Sequence, residues 1–515
     1  MVTLVQDFLE CTAALLPDKV ALVCAGQRLT FAQIEAMSNR LANALIASGI
    51  HRGDRVALYL HNGVEAVAGI FAVLKAGAVF VMINPTTKKE KLLYILNNCR
   101  ARGLLIEPES SAHTAVSDIM TEAPALEFAI VCGKPGAGVP SDHQNQLSFD
   151  AIQNGCPATR PKRHNIDLDL ACLIYTSGTT GEPKAVMCDH SNMIFVASSV
   201  IEYLENVEGD VIVNVLPLSF SYGLYQVLMT FWFGGTLVLE NSFAYPSVTL
   251  KLMQDERVTG FPGVPTMFAT LLKMDLSAFD LSSLRFLTNA AAALPVAHIQ
   301  EIRRRFPLAR FYSMYGQTEC KRTLYLPPEQ LDKRPGSVGI AIPGTEVWVE
   351  DESGRKLGPG EVGELVVRGR HVMRGYWEDP QKTSERFRPA PSPGERIYRT
   401  GDLFRTDQEG YLYFVSRKDD IIKSRGEKVA PKEVENVLHT LNGVVEAAVV
   451  GVPDPVLGQA VKAVLVVAAG VRLTQSEVLA HCRANLEDHM VPKHVEFRSE
   501  LPKTASGKLQ RSSLV

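Results

Sequence analysis

The sequence predicts an α/β protein. A large N-terminal part combines mainly parallel α/β units with a β-rich portion, and a small α+β C-terminal domain follows. Three observations carry this. Short apolar runs alternate with amphipathic stretches from residue 20 to about 315, the pattern of βαβ units around parallel sheets. From residue 336 the texture changes to short strands punctuated by turns, such as Glu346–Glu350, Gly363–Arg368 and Gly410–Phe414. At Ser416-Arg417-Lys418-Asp419-Asp420 a charged cluster breaks that pattern and a compact αβ unit begins, so the domains expected are 1–416 and 417–515.

In chain order, residues 1–10 read as an amphipathic helix without the basic start of a secretory signal. Val20–Cys24 and Gln27–Leu29 flank Ala25-Gly26 as a hairpin. Thr30 and Gln33 form a capping box that opens a helix to about Ala47. Val56–Leu60 is a strand, Val64–Lys75 a helix, Ala78–Met82 a strand, and another unit runs through Gly103–Ile106. Residues 133–165, rich in Gly, Pro, Asn, Asp and Gln, read as a surface connection. Leu170–Ile174 is a buried strand, Ser191–Tyr203 a helix and Val211–Leu216 a strand. Leu284–Leu287 and Phe311–Met314 are further strands. Their ends lie near the loop after Ile174 if all share one sheet, where ligand sites of α/β proteins form. The C-terminal unit reads as Ile421–Lys423, a helix Pro431–Leu438, strands Val444–Val450 and Val461–Val467, and a helix Gln475–Leu486.

The bulk properties exclude several classes. The 515 residues allow roughly three domain-sized units. A net charge of −3 offers no basic field for nucleic acid. The nine cysteines include no Cys-x-x-Cys pair, so neither a zinc site nor a disulfide framework is indicated, and a reducing cytoplasm is expected. No run of 18 apolar residues is present to span a membrane.

The chemistry concentrates after Ile174, in Tyr175-Thr176-Ser177-Gly178-Thr179-Thr180-Gly181-Glu182-Pro183-Lys184. Glycines let backbone N–H groups converge on an anion, hydroxyls add donors, and Lys184 adds charge: this is what holding a polyphosphate requires. It is not a Walker A loop, because Gly181 is followed by Glu-Pro-Lys. The stretch closely resembles the phosphate loop of the adenylate-forming superfamily, which includes acyl-CoA synthetases, peptide-synthetase adenylation domains and luciferases.

The resemblance extends over essentially the whole chain, with six motifs in the family's order. Tyr315-Gly316-Gln317-Thr318-Glu319 is similar to the family's Tyr-Gly-x-Thr-Glu. That likeness implies that Tyr315 stacks on adenine, Thr318 contacts the α-phosphate and Glu319 reaches Mg²⁺. Asn289-Ala290-Ala291-Ala292 resembles the segment beside the adenine. Tyr398-Arg-Thr-Gly-Asp402 resembles the ribose-binding motif, with Arg417 as a second ribose contact. Lys508, in Pro-Lys-Thr-Ala-Ser-Gly-Lys, resembles the C-terminal catalytic lysine; a mobile cation there lowers the repulsion between a carboxylate and a triphosphate. Thr176, Glu319 and Lys508 form the implied catalytic set. Asp419 matches the hinge about which the C-terminal domain rotates, and Gly426 the segment facing the site for thiolation. Lys423 and Lys428 match positions that contact nucleotide or acceptor in some relatives.

The implied reaction has two steps: a carboxylate attacks ATP to give an acyl-adenylate, and a thiol then displaces AMP. Phe220-Ser221-Tyr222-Gly223 resembles the acyl-pocket segment. Ser221 stands where amino-acid-activating relatives carry aspartate, so a substrate ammonium would lack its partner. With Phe220, Tyr222, Met314 and Cys320 the pocket reads as apolar, favouring a fatty or related acid, with an aryl acid as the alternative. The acceptor expected is CoA, a carrier-protein phosphopantetheine being the alternative and a luciferase-like oxidoreductase a further one. A monomer or homodimer is expected.

Overall fold

The computed structural model describes residues 2–107, 116–133, 145–176, 183–392, 395–424, 427–454, 457–486, 489–504 and 508–515. Two large sheets dominate. A seven-stranded sheet runs in the order Gln146–Ser148, Phe128–Val131, Ala101–Ile106, Arg55–Tyr59, Val79–Ile83, Leu170–Thr176, Lys184–Asp189. It is parallel except for the final hairpin. A nine-stranded sheet places Gly260–Gly263, Phe286–Asn289 and Arg310–Tyr315 side by side in parallel.

The expected strands therefore do not share one sheet. Leu170–Thr176 pairs with Val79–Ile83, whereas Phe286–Asn289 and Arg310–Tyr315 belong to the other sheet. The physical reason is that apolar parallel strands look alike in sequence, and pairing is chosen by long-range packing. The helix Val64–Lys75 separates the sheets and is buried at every position but Glu65. Its Gly69 presses onto the seven-stranded sheet, where a Cβ would stand 2.7 Å from Leu58 Cδ2. Its Phe71 meets Phe231, at 5.2 Å between ring centroids, on the helix Ser221–Phe233. A helix apolar all round belongs in such an interior.

Other expectations are met or corrected locally. Thr30 and Gln33 make the capping box that starts the helix Phe31–Ala47. Residues 145–155 are more than a connection: Gln146–Ser148 adds an edge strand, and Ser148 caps the helix Phe149–Gly155, which buries Phe149 and Ile152. The N-terminal helix spans Asp7–Leu15, and its acidic residues Asp7 and Glu10 are buried, both paired with Arg163. An amphipathic reading exposes them; the segment around Arg163 covers them instead. The strand from Val211 stops at Asn214, whose side chain accepts from the Leu216 N–H at 3.1 Å.

A five-stranded antiparallel sheet carries Glu346–Glu350, Gly363–Arg368, Arg396–Thr406, Phe387–Pro389 and Leu412–Arg417. After a turn at Lys418–Asp420, Ile422–Ser424 enters a separate sheet built on the hairpin Val444–Asp454 and Gly458–Val467. His494–Phe497, not expected from the sequence, joins it in parallel. Helices Pro431–Thr440 and Gln475–Asn485 cover one face through Val434, Leu438, Val478 and Cys482, a core of its own. No helix among the described residues is long and apolar enough to cross a membrane.

Candidate active site

The end of the strand Arg310–Tyr315 meets the five-stranded sheet. The Tyr315 hydroxyl donates to Asp402 Oδ2 at 2.8 Å, and Gln317 Nε2 donates to the same oxygen at 2.7 Å. Tyr398 donates to Gln317 Oε1 at 2.5 Å, fixing the amide. Arg417 lies directly across from Asp402 on the paired strand, its Nε 3.5 Å from Oδ1. Asp402 is buried, and burial pushes its carboxyl above the usual aspartate range, while Arg417, Tyr315, Gln317 and Lys508 pull it back. Gly401 has φ +73°, and a Cβ there would stand 2.2 Å from Arg386 Nη1, so the bend before Asp402 is reserved for glycine.

Gly316 allows the next close approach: a Cβ would sit 1.6 Å from the carbonyl oxygen of Lys321, so the chain folds tightly back after Tyr315. That return presents Gln317, Thr318 and Glu319 half-buried at one edge. Glu319 Oε1 accepts from the Tyr376 hydroxyl at 2.8 Å, and Lys184 Nζ lies 5.9 Å from the Tyr376 ring. Tyr376 thus joins Lys184, at the start of the strand Lys184–Asp189, to the carboxylate of Glu319. Burial, then Lys382 and Arg386, lower the Lys184 ammonium from its ordinary pKa, an environment rich in positive charge. Thr176 faces Lys184 across the hairpin. Residues Ser177, Gly178, Thr179, Thr180 and Gly181 lie outside the described residues.

The strand Phe286–Asn289 delivers Ala290, which is buried, and Ala291 and Ala292, which are exposed. Asn289 Nδ2 holds the Ala292 carbonyl at 3.0 Å, and Ala291 takes a left-handed φ of +72°, a conformation uncommon for a non-glycine residue.

The C-terminal domain reaches this place through Lys508. Its loop is closed by Thr504 N–H donating to the Lys508 carbonyl at 2.7 Å. Lys508 is exposed but crowded by protein. That desolvation and the charge of Arg417 lower its pKa, and Glu319 and Asp402 oppose them. The lysine therefore stands within the fields of both N-terminal carboxylates. Asp419 lies in the turn Lys418–Asp420, and Lys423 faces Lys428 across a short hairpin. Gly426 lies outside the described residues.

The expected acyl wall is only partly assembled as read. Phe220 and Ser221 are half-buried at the start of the helix Ser221–Phe233. Tyr222 is buried with its hydroxyl 2.6 Å from Thr288 Oγ1. Met314 is buried and accepts the Tyr203 hydroxyl on sulfur at 2.9 Å. Cys320 is sealed, its thiol accepting from Thr323 at 3.0 Å. Gly223 serves packing: a Cβ would stand 2.5 Å from the Pro217 carbonyl oxygen.

Sequence reasoning missed Tyr376, which no motif marks, and the buried pair Lys321 and Arg322. Two adjacent cations after Glu319 look like a surface turn. The only signal was their position between the Tyr-Gly segment and the strand Leu324–Leu326.

The model of the AMP-binding enzyme family matches residues 9–377, and that of the AMP-binding enzyme C-terminal domain matches residues 433–508. A long-chain-fatty-acid–CoA ligase of Bacillus subtilis is 32% identical over 99% of this chain and 94% of its own. A feruloyl-CoA synthase of Amycolatopsis sp is 35% identical over 98% and 96%. Among solved structures, ATP-bound MatB from Rhodopseudomonas palustris is similar at TM-score 0.88 and 29% identity, over 99% of this chain and 98% of that one. An anthranilate CoA ligase in complex with anthranoyl-AMP is similar at TM-score 0.90 and 29% identity, over 99% and 96%.

Proposed function

Because the chain belongs to the AMP-binding enzyme family of adenylate-forming acid–CoA ligases, we propose that it activates a carboxylic acid with an apolar body and transfers it to CoA. The acid's carboxylate attacks the α-phosphate of ATP, forming a carboxyl–phosphorus bond as pyrophosphate leaves. The CoA thiol then attacks the acyl carbon and AMP leaves. The observation that carries this reading is the arrangement at the end of the strand Arg310–Tyr315, where Tyr315 and Gln317 both donate to Asp402, Arg417 lies beside it and Glu319 accepts from Tyr376.

Each residue has a physical task. Asp402, held from both sides by Tyr315 and Gln317, accepts the ribose hydroxyls without having to reorganise. Lys508 offsets the charge that accumulates between carboxylate and α-phosphate. Thr176, Thr318 and Lys184 line the phosphate side. Glu319 suits Mg²⁺, which takes one or two carboxylates together with phosphate oxygens, and among the described residues no cluster of three ligands builds an all-protein metal cage. The ion when bound would neutralise phosphate charge. Ala290–Ala292 flank the base.

The chain divides in this reading at 416/417, with Asp419 as the hinge. Its support is local: Leu412–Arg417 still pairs with Arg396–Thr406, and Ile422–Ser424 already pairs in the C-terminal sheet. The test is a panel of fatty, aryl and amino acids scored for pyrophosphate release and for CoA thioester by mass. Release without thioester formation, while a phosphopantetheinyl carrier protein becomes acylated, would move the acceptor from CoA to the carrier.

A further inference from the structure

The wall that carries Tyr222 also carries a charge that nothing described in the protein answers. Arg322, three residues beyond Glu319, is 5% exposed. Its guanidinium lies over the Tyr222 ring, 4.4 Å from the centroid, and its Nε has no hydrogen-bond partner. The neighbouring hydroxyls are already engaged: Tyr203 with Met314, Tyr222 with Thr288. Tyr225, on the same helix as Tyr222 and within the field of Arg322, is buried with its own hydroxyl unpartnered.

Other buried ions among the described residues are paired. Lys75 holds Glu35, Arg388 holds the sealed Glu350, and Arg511 holds Glu435. A cation–π contact recovers only part of what a guanidinium loses on leaving water. A planar fork of donors is matched by a carboxylate, which accepts it with two parallel bonds. The place is also right. Tyr222 is the second residue of the helix Ser221–Phe233, its hydroxyl sits on the strand that ends at Asn289, and Met314 adjoins Tyr315.

We propose that Arg322 binds a second carboxylate on the acid, the one that is not activated, so that the substrate class is a dicarboxylic acid with an apolar or aromatic body. This rests on reading the site as an acid–CoA ligase. It adds a further reason for excluding amino acids, since the guanidinium repels an ammonium.

The test compares matched pairs in the full chain: butyrate with succinate, hexanoate with adipate, octanoate with suberate, and benzoate with phthalate. Pyrophosphate release and CoA thioester give kcat/KM for each. At least one diacid should exceed its monoacid by about 10²-fold, the scale of a desolvated charge-assisted pair. Arg322→Met should erase that preference while changing the monoacid only a few-fold, and Arg322→Lys should restore part of it. The proposal is overturned if every monoacid exceeds its diacid in the parent enzyme, which requires no variant to fold. It is also overturned if Arg322→Met lowers both members of a preferred pair equally. If no acid of either series releases pyrophosphate, the ligase reading fails and this proposal with it; robust turnover of monoacids alone removes only this proposal.

Discussion

The Lys321 ammonium lies 2.7 Å from the Cys188 sulfur, and both residues are sealed from solvent. Cys188 sits on the strand Lys184–Asp189 of the seven-stranded sheet, and Lys321 in the turn after Glu319 at the edge of the nine-stranded sheet. The pair therefore ties together the two sheets that carry Lys184 and the Tyr-Gly segment. Burial raises the Cys188 thiol, but a hydrogen bond from Cys172 and the charge of Lys321 more than offset it, drawing the thiol down to about 7. Lys321 is lowered by burial and raised further by Cys188, with a net rise. The two groups favour a thiolate and an ammonium.

This pairing sets a pH dependence of stability. An unfolded thiol titrates near 8.5, so the folded thiolate contributes fully above that value, and the contribution is lost as pH falls through about 7. Lys321 is raised, so its contribution is present below the ordinary lysine range and is lost only as pH rises beyond it. The parent protein should gain stability between pH 7 and about 8.5 by about 1–2 kcal/mol relative to Cys188→Ser. Urea midpoints across that range decide it, and parallel profiles for the two proteins would refute the ion pair.

Asp402→Asn keeps the shape of the side chain and removes its charge. With Tyr315 and Gln317 still donating to it, the amide is a poorer acceptor for ribose hydroxyls. KM for ATP should rise by about 10-fold or more, with a smaller fall in kcat. Because burial raises the Asp402 pKa, the parent's affinity for ATP should fall as pH drops through a value above the ordinary aspartate range. Unchanged ATP kinetics in a folded variant would remove Asp402 from the nucleotide site.

Lys508→Ala separates the half-reactions. Adenylate formation should fall by about 10²–10³, the scale of one charged transition-state contact. Thioester formation from pre-formed acyl-adenylate should persist near the parent rate if the C-terminal domain carries Lys508 away for that step. Asp419→Pro fixes φ near −65° and should slow thioester formation more than adenylation. Equal losses in both steps for Lys508→Ala mean a static lysine. Since desolvation and Arg417 lower the lysine's pKa, adenylation should also decline with rising pH before an ordinary lysine would lose its proton.

Proteinogenic amino acids should not support pyrophosphate release. Ser221 places no carboxylate at the start of the helix Ser221–Phe233, and Arg322 adds positive charge beside Tyr222. Ser221→Asp together with Arg322→Met should permit detectable amino-acid-dependent release. A parent enzyme that activates an amino acid in preference to every fatty, aryl and dicarboxylic acid would sink this account of the pocket.

Local chemistry was legible in the sequence because it depends on near neighbours. Thr30 and Gln33 make a capping box within four residues, Gly316 allows a close backbone approach that a Cβ would obstruct, and Gly401 takes a positive φ. The alternation of strands and helices announced two-sided, buried sheets, and the spaced motifs announced an adenylating site. Tertiary structure alone decided which parallel strands became neighbours, because apolar strands of like composition pair equally well until helices choose between them. It also decided the fate of charged residues that read as surface. Asp7 and Glu10 are buried under Arg163, Lys321 finds a thiol on another sheet, and Arg322 is enclosed against Tyr222. A charge looks exposed in a sequence, and only distant segments folding over it determine what it must pair with.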